Sequence, residues 1–340
     1  MVGCGFFARN HLLAWHHMDG VELVALCDLD AGRLQAAADL IEQAGGTRPR
    51  LFADLDQMLR EVRPDFVDVV TTMESHEALV GICARHKVPT ICQKPFAPDI
   101  AAVRRIVDVA GSAGIPLMVH ENFRFQGPMM QLKQVLDGGA VGRPVAARLS
   151  WRCGFEVFKG QPYLAKVDRL VLLDLVIHVF DLARFLFGEV DRLLARTQKV
   201  RPGIAGEDGA VCLLEHGSGV ISEVLGSYHT KIDPDPFPET LVRIDGTDGF
   251  LEVGHGFEMT ITRHDGTEQR SIAPVAPDWG DPVWAMVQES VLNTQAHFID
   301  CLREGREPAT SARDNERTFA LVEAAYRSAA QGRWVDLATV

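Results

Sequence analysis

The chain has 340 residues, of which 47% are hydrophobic and 24% charged, and its formal net charge is −12 at pH 7. This balance is typical of a globular protein, while the acidic charge argues against nucleic acids and anionic membrane surfaces as partners. The length exceeds what one hydrophobic core usually supports, so two domains are expected.

The cysteines and the N-terminus indicate a cellular compartment. Seven cysteines are scattered along the chain without a CxxC pair, which argues against a disulfide framework or a zinc site. The N-terminus lacks the pattern of a secretory signal, and no apolar run is long enough to cross a bilayer without charge. We therefore expect a protein of the reducing cytoplasm with no membrane segment.

The first third of the chain alternates apolar strand-like runs with amphipathic helix-like segments. Strands are predicted at 21–27, 66–71, 89–93 and 116–120, and helices at 8–18, 31–44, 53–62, 76–86 and 99–114. Such alternation predicts a parallel sheet with helices on both faces, here an α/β Rossmann domain over residues 1–122.

The opening MVGCGFFARNH fits the dinucleotide fingerprint GxGxxA. The loop predicted to approach a pyrophosphate comprises Gly3, Gly5, Phe6, Phe7 and Ala8. Asp28 ends the next strand, where a carboxylate binds the adenosine ribose and repels a 2′-phosphate, so NAD is favoured over NADP. Only Met1 and Val2 precede Gly3, so either the first strand is nearly absent or the natural chain starts upstream.

After the predicted strand 89–93 comes Gln93-Lys94-Pro95. Ligands of open parallel sheets bind outside the carboxyl ends of the strands, so Lys94 is expected near a bound nicotinamide. The following strand leads into ENFRF, which supplies Asn122 and Arg124.

Beyond residue 126 the alternation ends, and one segment, 170–187, is unusual. Between Leu170 and Ala183 every residue is apolar or alanine except three, which are Asp174, His178 and Asp181. Spacings of four and three place them on one face of a helix, and buried polar groups need polar partners, so this face is a candidate catalytic site. Asp and His at this spacing could also bind a metal, but no further ligand cluster supports that, and no metal is expected.

In order and spacing, GCGFFA, Asp28, TTMESH, QKP, ENFRF and LLDLVIHVFDLARFLFG resemble the Gfo/Idh/MocA oxidoreductase family over nearly the whole chain. The resemblance implies a Rossmann domain followed, at 123–340, by an α+β domain with a large, mostly antiparallel open sheet. It also implies an NAD(P)-dependent oxidoreductase that transfers hydride to or from a sugar, inositol or related polyol, assembled as a homodimer or homotetramer.

The resemblance assigns roles by position. Lys94 matches the lysine of the family's EKP motif, and Asp174 and His178 match its D-x-x-x-H helix; Gln93 replaces the usual glutamate. The further candidates for cofactor contact are Thr72, His76, Gln93 and Asn122, and those for substrate contact are Arg124, Gln161, Tyr163 and Arg169.

In the mechanism that follows, His178 is the general base in oxidation and the general acid in reduction. Lys94 stabilises developing alkoxide charge, and Asp174 orients the imidazole or binds a neighbouring hydroxyl. Asp181 is expected to anchor the helix or to pair with Arg184. Two alternatives stay open: a lyase or glycosidase that retains NAD and uses transient oxidation, and a dinucleotide-binding regulator without catalysis.

Overall fold

The computed structural model describes residues 1–340 except 155, 232 and 234. The chain divides into two compact units, Met1–Glu121 with Val291–Arg317, and Asn122–Ser290 with Thr318–Val340. The sequence predicts domains at 1–122 and 123–340, and the compact units differ from these in Asn122 and in the segment Val291–Arg317. This segment belongs to the first unit because Phe298 packs edge-on against Phe66, with ring centroids 5.6 Å apart.

The first unit is built from short parallel strands and the helices between them. The strands are β1 Ala25–Cys27, β2 Arg50–Phe52, β3 Val67–Val69, β4 Thr90–Gln93 and β5 Leu117–His120. The helices are α1 Ala8–His16, α2 Ala31–Gln43, α3 Leu55–Val62, α4 His76–Arg85 and α5 Ile100–Ala113. Three of them begin at an aspartate whose carboxylate accepts backbone N–H groups of the first turn, namely Asp30, Asp54 and Asp99.

The first residues of the chain lie between β1 and β3. Val2 forms parallel bridges to Cys27 on one side and to Val69 on the other. The backbone N–H of Gly3 donates to Cys27 O at 2.8 Å, and that of Val2 donates to Asp68 O at 2.7 Å. The backbone of residues 1–3 thus joins two pieces of parallel sheet, β2-β1 and β3-β4-β5.

The second unit contains a nine-stranded sheet in the order β13-β12-β11-β10-β6-β9-β8-β7-β14. Its strands are β6 Pro144–Arg152, β7 Val190–Gln198, β8 Gly209–His216, β9 Ile221–Ser227, β10 Leu241–Gly246, β11 Gly249–Val253, β12 Glu258–Arg263, β13 Gly266–Ser271 and β14 Val335–Asp336. All neighbouring pairs are antiparallel except β6 and β9. The expected fold class, an α/β Rossmann domain followed by an α+β domain with a large, mostly antiparallel sheet, is confirmed.

The helices outside the Rossmann pattern are α6 Gly127–Asp137, α7 Val157–Gly160, α8 Ile177–Phe187, α9 Ala285–Glu304 and α10 Ala312–Gln331. The segment expected as one helix over 170–187 has two parts, because a π-helical turn, Leu172–Val176, precedes α8. The helix ends where Gly188 adopts a φ of +86°. Within the part of the chain that the structure describes, no helix is both long and apolar enough to span a bilayer.

Candidate active site

The glycine loop at the start of the first unit has the geometry of a dinucleotide fingerprint. Gly3 has a φ of +90°, and a Cβ there would lie 2.2 Å from the carbonyl oxygen of Val70, so no other residue fits. A Cβ on Gly5 would meet nothing within 4 Å, so this position leaves space for a ligand to approach the backbone. Ala8, which is 1% exposed, begins α1 where the fingerprint requires a small residue.

Asp28 lies directly beside this loop. Its Oδ2 accepts the backbone N–H of Cys4 at 2.7 Å, and its Oδ1 accepts the N–H of Asp30 at 2.9 Å. Burial raises the pKa of the Cys4 thiol to about 12, so no thiolate opposes an anionic ligand. Phe7 precedes α1 without a side-chain cap, and Phe6 is 56% exposed beside it. A glycine loop, an uncapped helix N-terminus and a carboxylate at the end of β1 fit NAD.

His76, which the sequence placed along the cofactor, is a fully buried residue. Its Nδ1 lies 3.1 Å from the carbonyl oxygen of Phe96, and its Nε2 lies 3.1 Å from that of Thr71. Burial lowers the pKa of His76 below its ordinary value, so the ring is neutral and donates to only one of the two carbonyls. Thr72, by comparison, is an exposed residue of the same loop.

The Gln93 side chain points inward at the end of β4. Its Oε1 accepts the backbone N–H of Lys94 at 2.6 Å, and its Nε2 lies 3.1 Å from Nε2 of His11. Gln93 is 7% exposed, while Lys94 is half-buried. Through these two bonds, the amide of Gln93 contacts the backbone of Lys94 on one side and the His11 ring on the other.

In the second unit, the π-helical turn carries Asp174 and α8 carries His178. Asp174 Oδ2 accepts the hydroxyl of Tyr228 at 2.7 Å. Burial, and secondly the Asp174 charge, raise the pKa of Tyr228 well above its ordinary value, so this hydroxyl stays protonated. The His178 ring stacks on Phe123 with centroids 4.1 Å apart and planes 4° from parallel. Asp174 is thus held by a polar group and the His178 ring by an apolar one.

Asp181, the third polar residue of this segment, lies in a buried ion pair with Arg124. Arg124 donates from Nε to Oδ2 at 2.7 Å and from Nη2 to Oδ1 at 2.5 Å. The Arg184 that helical spacing suggested as a partner lies farther away, with Nη1 4.0 Å from Oδ1, and forms a bidentate pair with Glu189. The anchoring role expected for Asp181 therefore has a partner from outside the helix.

The remaining residues predicted for cofactor or substrate contact form hydrogen bonds with side chains of their own unit. Asn122 donates from Nδ2 to the Ser290 hydroxyl at 2.6 Å. Tyr163, which is 48% exposed, donates its hydroxyl to Gln161 at 3.0 Å. Arg169 donates to Glu323 at 2.8 Å and lies over the Tyr326 ring, with its guanidinium carbon 4.3 Å from the centroid.

The sequence reasoning missed three residues that contact the candidate groups, Phe123, Tyr228 and His11, and it missed Asp68, which contacts His11. Phe123 was inside a motif that had been singled out, between Asn122 and Arg124. The others had no local signal, because a histidine or tyrosine in an apolar segment is usually a satisfied core residue.

Comparison with known proteins identifies the family of the two domains. Residues 1–121 match the family described as "Oxidoreductase family, NAD-binding Rossmann fold", and residues 129–252 match "GFO/IDH/MocA C-terminal domain". Two curated proteins named D-apiose dehydrogenase are similar to this chain. The one from Paraburkholderia graminis is 49% identical over 99% of this chain and 88% of its own. The one from Rhizobium rhizogenes is 48% identical over 99% and 96%.

The fold is also similar to a crystal structure of an oxidoreductase from Agrobacterium radiobacter in complex with NAD+, L-tartaric acid and magnesium. The TM-score is 0.95 and the identity 47%, over 99% of this chain and 97% of that one. The motifs, the two-domain fold and these matches agree: the chain belongs to the Gfo/Idh/MocA family of oxidoreductases, with an NAD-binding Rossmann domain at residues 1–121.

Proposed function

We propose that this protein is an NAD-dependent dehydrogenase whose substrate is D-apiose or a closely similar sugar. The observation that carries the proposal is the pair Asp174 and His178 on an otherwise apolar, buried helical segment, since these are the residue types that hydroxyl oxidation requires. The two curated relatives of nearly half identity supply the sugar.

NAD rather than NADP is favoured by Asp28. Its carboxylate is oriented by two backbone N–H groups and stands where a 2′-phosphate would have to approach. The nearest arginine after it in the chain is Arg33, whose guanidinium pairs with Asp30 at 3.6 Å. A carboxylate at this place recognises two ribose hydroxyls and repels a phosphate dianion.

The glycine loop and Asp28 would hold NAD, and the bound cofactor would supply the acceptor for the hydride of the carbon that carries the reacting hydroxyl. His178 takes the hydroxyl proton, and the sugar is left with a carbonyl group, so one hydride and one proton account for the two-electron oxidation. Lys94 donates a hydrogen bond to the oxygen as alkoxide charge develops. Asp174, held by the neutral Tyr228 hydroxyl, orients the imidazole or binds a neighbouring hydroxyl.

The substrate candidates differ in how far their contacts support them. Gln161 and Tyr163 lie together at an accessible place, which supports a role in binding a polyol. Arg124 and Arg169 are engaged with acidic residues of their own unit, and we propose positioning roles for both. Thr72, His76 and Asn122 stay predicted cofactor-side residues, with His76 acting through the backbone of its loop.

The test is NADH absorbance on mixing the purified protein with NAD and D-apiose, with myo-inositol as a second polyol. His178→Ala should lower kcat at least a hundredfold while leaving the Kd for NAD within twofold. His216→Ala is the matched control, because His216 is also buried but binds Gly188 O and Ser222. Full turnover by His178→Ala would contradict the proposed role of His178 as the general base.

Three other outcomes separate the alternatives. Sugar conversion without net NADH would identify a lyase or glycosidase that recycles its cofactor. NAD binding with no turnover of any sugar would identify a regulator. NADH formation from myo-inositol but not from D-apiose would keep the enzyme class and overturn the proposed sugar.

We also propose a cytoplasmic homodimer or homotetramer. All seven cysteines are free thiols, which suits a reducing compartment. Val211, Leu213 and Ile221 share one face of β8 and β9 and are 44%, 37% and 48% exposed. These exposed apolar side chains lie beside Glu215 and Glu223 on the same face, and they support its use as a mixed apolar and charged interface. Sedimentation analysis would measure the assembly, and a monomer at micromolar concentration would contradict it.

A further inference from the structure

A buried chain of polar side chains leads from the middle of the parallel sheet to the backbone of Lys94. Asp68 Oδ2 lies 2.8 Å from His11 Nδ1, His11 Nε2 lies 3.1 Å from Gln93 Nε2, and Gln93 Oε1 lies 2.6 Å from Lys94 N. Asp68, His11 and Gln93 are 2%, 0% and 7% exposed. All four residues belong to the first unit.

The backbone N–H of Lys94 determines the direction of every hydrogen bond in this chain. Because that group only donates, the atom of Gln93 facing it must be the carbonyl oxygen, and the amide NH2 must face His11. His11 Nε2 must then accept, so the ring proton is on Nδ1 and is donated to Asp68. His11 is therefore neutral, with one defined tautomer.

The burial of the Asp68 carboxylate, at one end of this series of hydrogen bonds, has a structural reason. Asp68 Oδ2 also accepts the indole N–H of Trp15 at 2.6 Å, so two donors hold it. A buried carboxylate costs free energy that an apolar residue on β3 would avoid, even when it is paired. Its benefit is the fixed His11 tautomer, because only that tautomer offers Gln93 an acceptor.

We propose that Asp68 and His11 are positioning residues that fix the Gln93 side chain and, through it, the backbone from which the Lys94 side chain projects. The same network favours glutamine over glutamate at position 93. A neutral His11 needs an N–H donor opposite Nε2, and a carboxylate has none. This inference rests on the proposed role of Lys94 at the substrate oxygen.

Gln93→Glu is the sharpest variant because it changes no volume. Glutamate still accepts the Lys94 N–H, but its second carboxylate oxygen would face the Nε2 acceptor of His11 with no proton between them. The Gln93→Glu enzyme should therefore be less active than the wild type.

The decisive experiment is a double-mutant cycle on NADH formation from sugar, with Lys94→Ala as the second change. His11→Phe and Gln93→Glu should each lower kcat about 10- to 100-fold in the wild-type background and by less than twofold in the Lys94→Ala background. The Kd for NAD should stay within threefold. Asp68→Asn, which keeps an acceptor oxygen for His11 and Trp15, should lower kcat less than His11→Phe does.

Each result decides something. Equal losses in both backgrounds would overturn the positioning role while leaving the catalytic role of Lys94 intact. An active Lys94→Ala enzyme would instead overturn the proposed function of Lys94. If His11→Phe does not fold, Gln93→Glu still tests the inference, because it preserves the shape of the core.

Discussion

The buried ion pair of Arg124 and Asp181 allows a direct test of whether Arg124 acts on the substrate or on the fold. The two side chains are 8% and 0% exposed, and they share two hydrogen bonds of 2.7 and 2.5 Å. Asp181 Oδ1 also accepts the hydroxyl of Thr318 at 3.1 Å. Both carboxylate oxygens are therefore occupied within the second unit.

Asp181→Leu leaves the Arg124 guanidinium buried without its carboxylate. Breaking a buried pair from one side costs about 3–5 kcal/mol, which lowers Tm by roughly 6–20 °C for a domain of 150–250 residues. The double variant Arg124→Met with Asp181→Leu removes both charges and should recover most of that loss. Arg192→Met is the matched control: its pair with Glu215 is also bidentate, but the two side chains are 47% and 33% exposed. Loss of this pair should leave the unfolding midpoint nearly unchanged, because solvent screens an exposed pair.

The measurements are urea and thermal unfolding together with steady-state kinetics on the sugar. The positioning role predicts that the stability losses are large for each single variant and that KM in the double variant stays within threefold of wild type. The reasoning would be refuted if Arg124→Met kept wild-type stability and raised KM tenfold or more. In that case Arg124 would contact the substrate, as the sequence alone suggested.

Three further predictions follow from the contacts. Gly3→Ala should prevent folding, because the added Cβ would lie 2.2 Å from a carbonyl oxygen at a backbone φ of +90°. Gly5→Ala should fold normally and only weaken NAD binding, which calorimetry measures. Equal melting temperatures for the two variants would contradict this prediction. Tyr228→Phe should lower kcat about tenfold, because Asp174 loses its hydroxyl donor, and a pH-independent loss is expected since the raised pKa of Tyr228 keeps that hydroxyl protonated. Burial lowers the pKa of His76 from its ordinary value of 6.5, so the histidine of the unfolded chain is protonated at a higher pH than that of the folded chain. The contribution of His76 to stability is therefore complete above about pH 6.5 and is lost as the pH falls. In His76→Gln the urea midpoint should vary less with pH between about pH 5 and 7 than it does in the wild type.

Local patterns predicted the Rossmann domain well. Strand and helix alternation and the glycine loop are encoded within short stretches of sequence, and the structure has them near the expected places, although β2 Arg50–Phe52 was not predicted. β13 was not predicted because all six of its residues are exposed, so no apolar alternation marks it. The π-helical turn at Leu172–Val176 was also missed, because a run of apolar residues looks the same at either helical period.

The partners of the candidate site could not be read from spacing. Helical periodicity suggested Arg184 for Asp181, three residues away, but the closer partner, Arg124, is 57 residues away in the chain. The same holds for Asp174 and Tyr228, which are 54 residues apart. Pairs within one helix follow from its geometry, whereas pairs between elements depend on how the elements pack.

These partners give the three polar residues of the segment different chemistry. A guanidinium neutralises Asp181, so this residue serves to hold α8 in place. Asp174 accepts the hydroxyl of Tyr228, a neutral donor. His178 stacks on the Phe123 ring, which restricts the orientation of the imidazole. A base becomes positively charged as it takes a proton, and a carboxylate nearby favours that change. The ion pair with Arg124 is the reason why we propose a structural role for Asp181 and keep the catalytic proposal to Asp174 and His178.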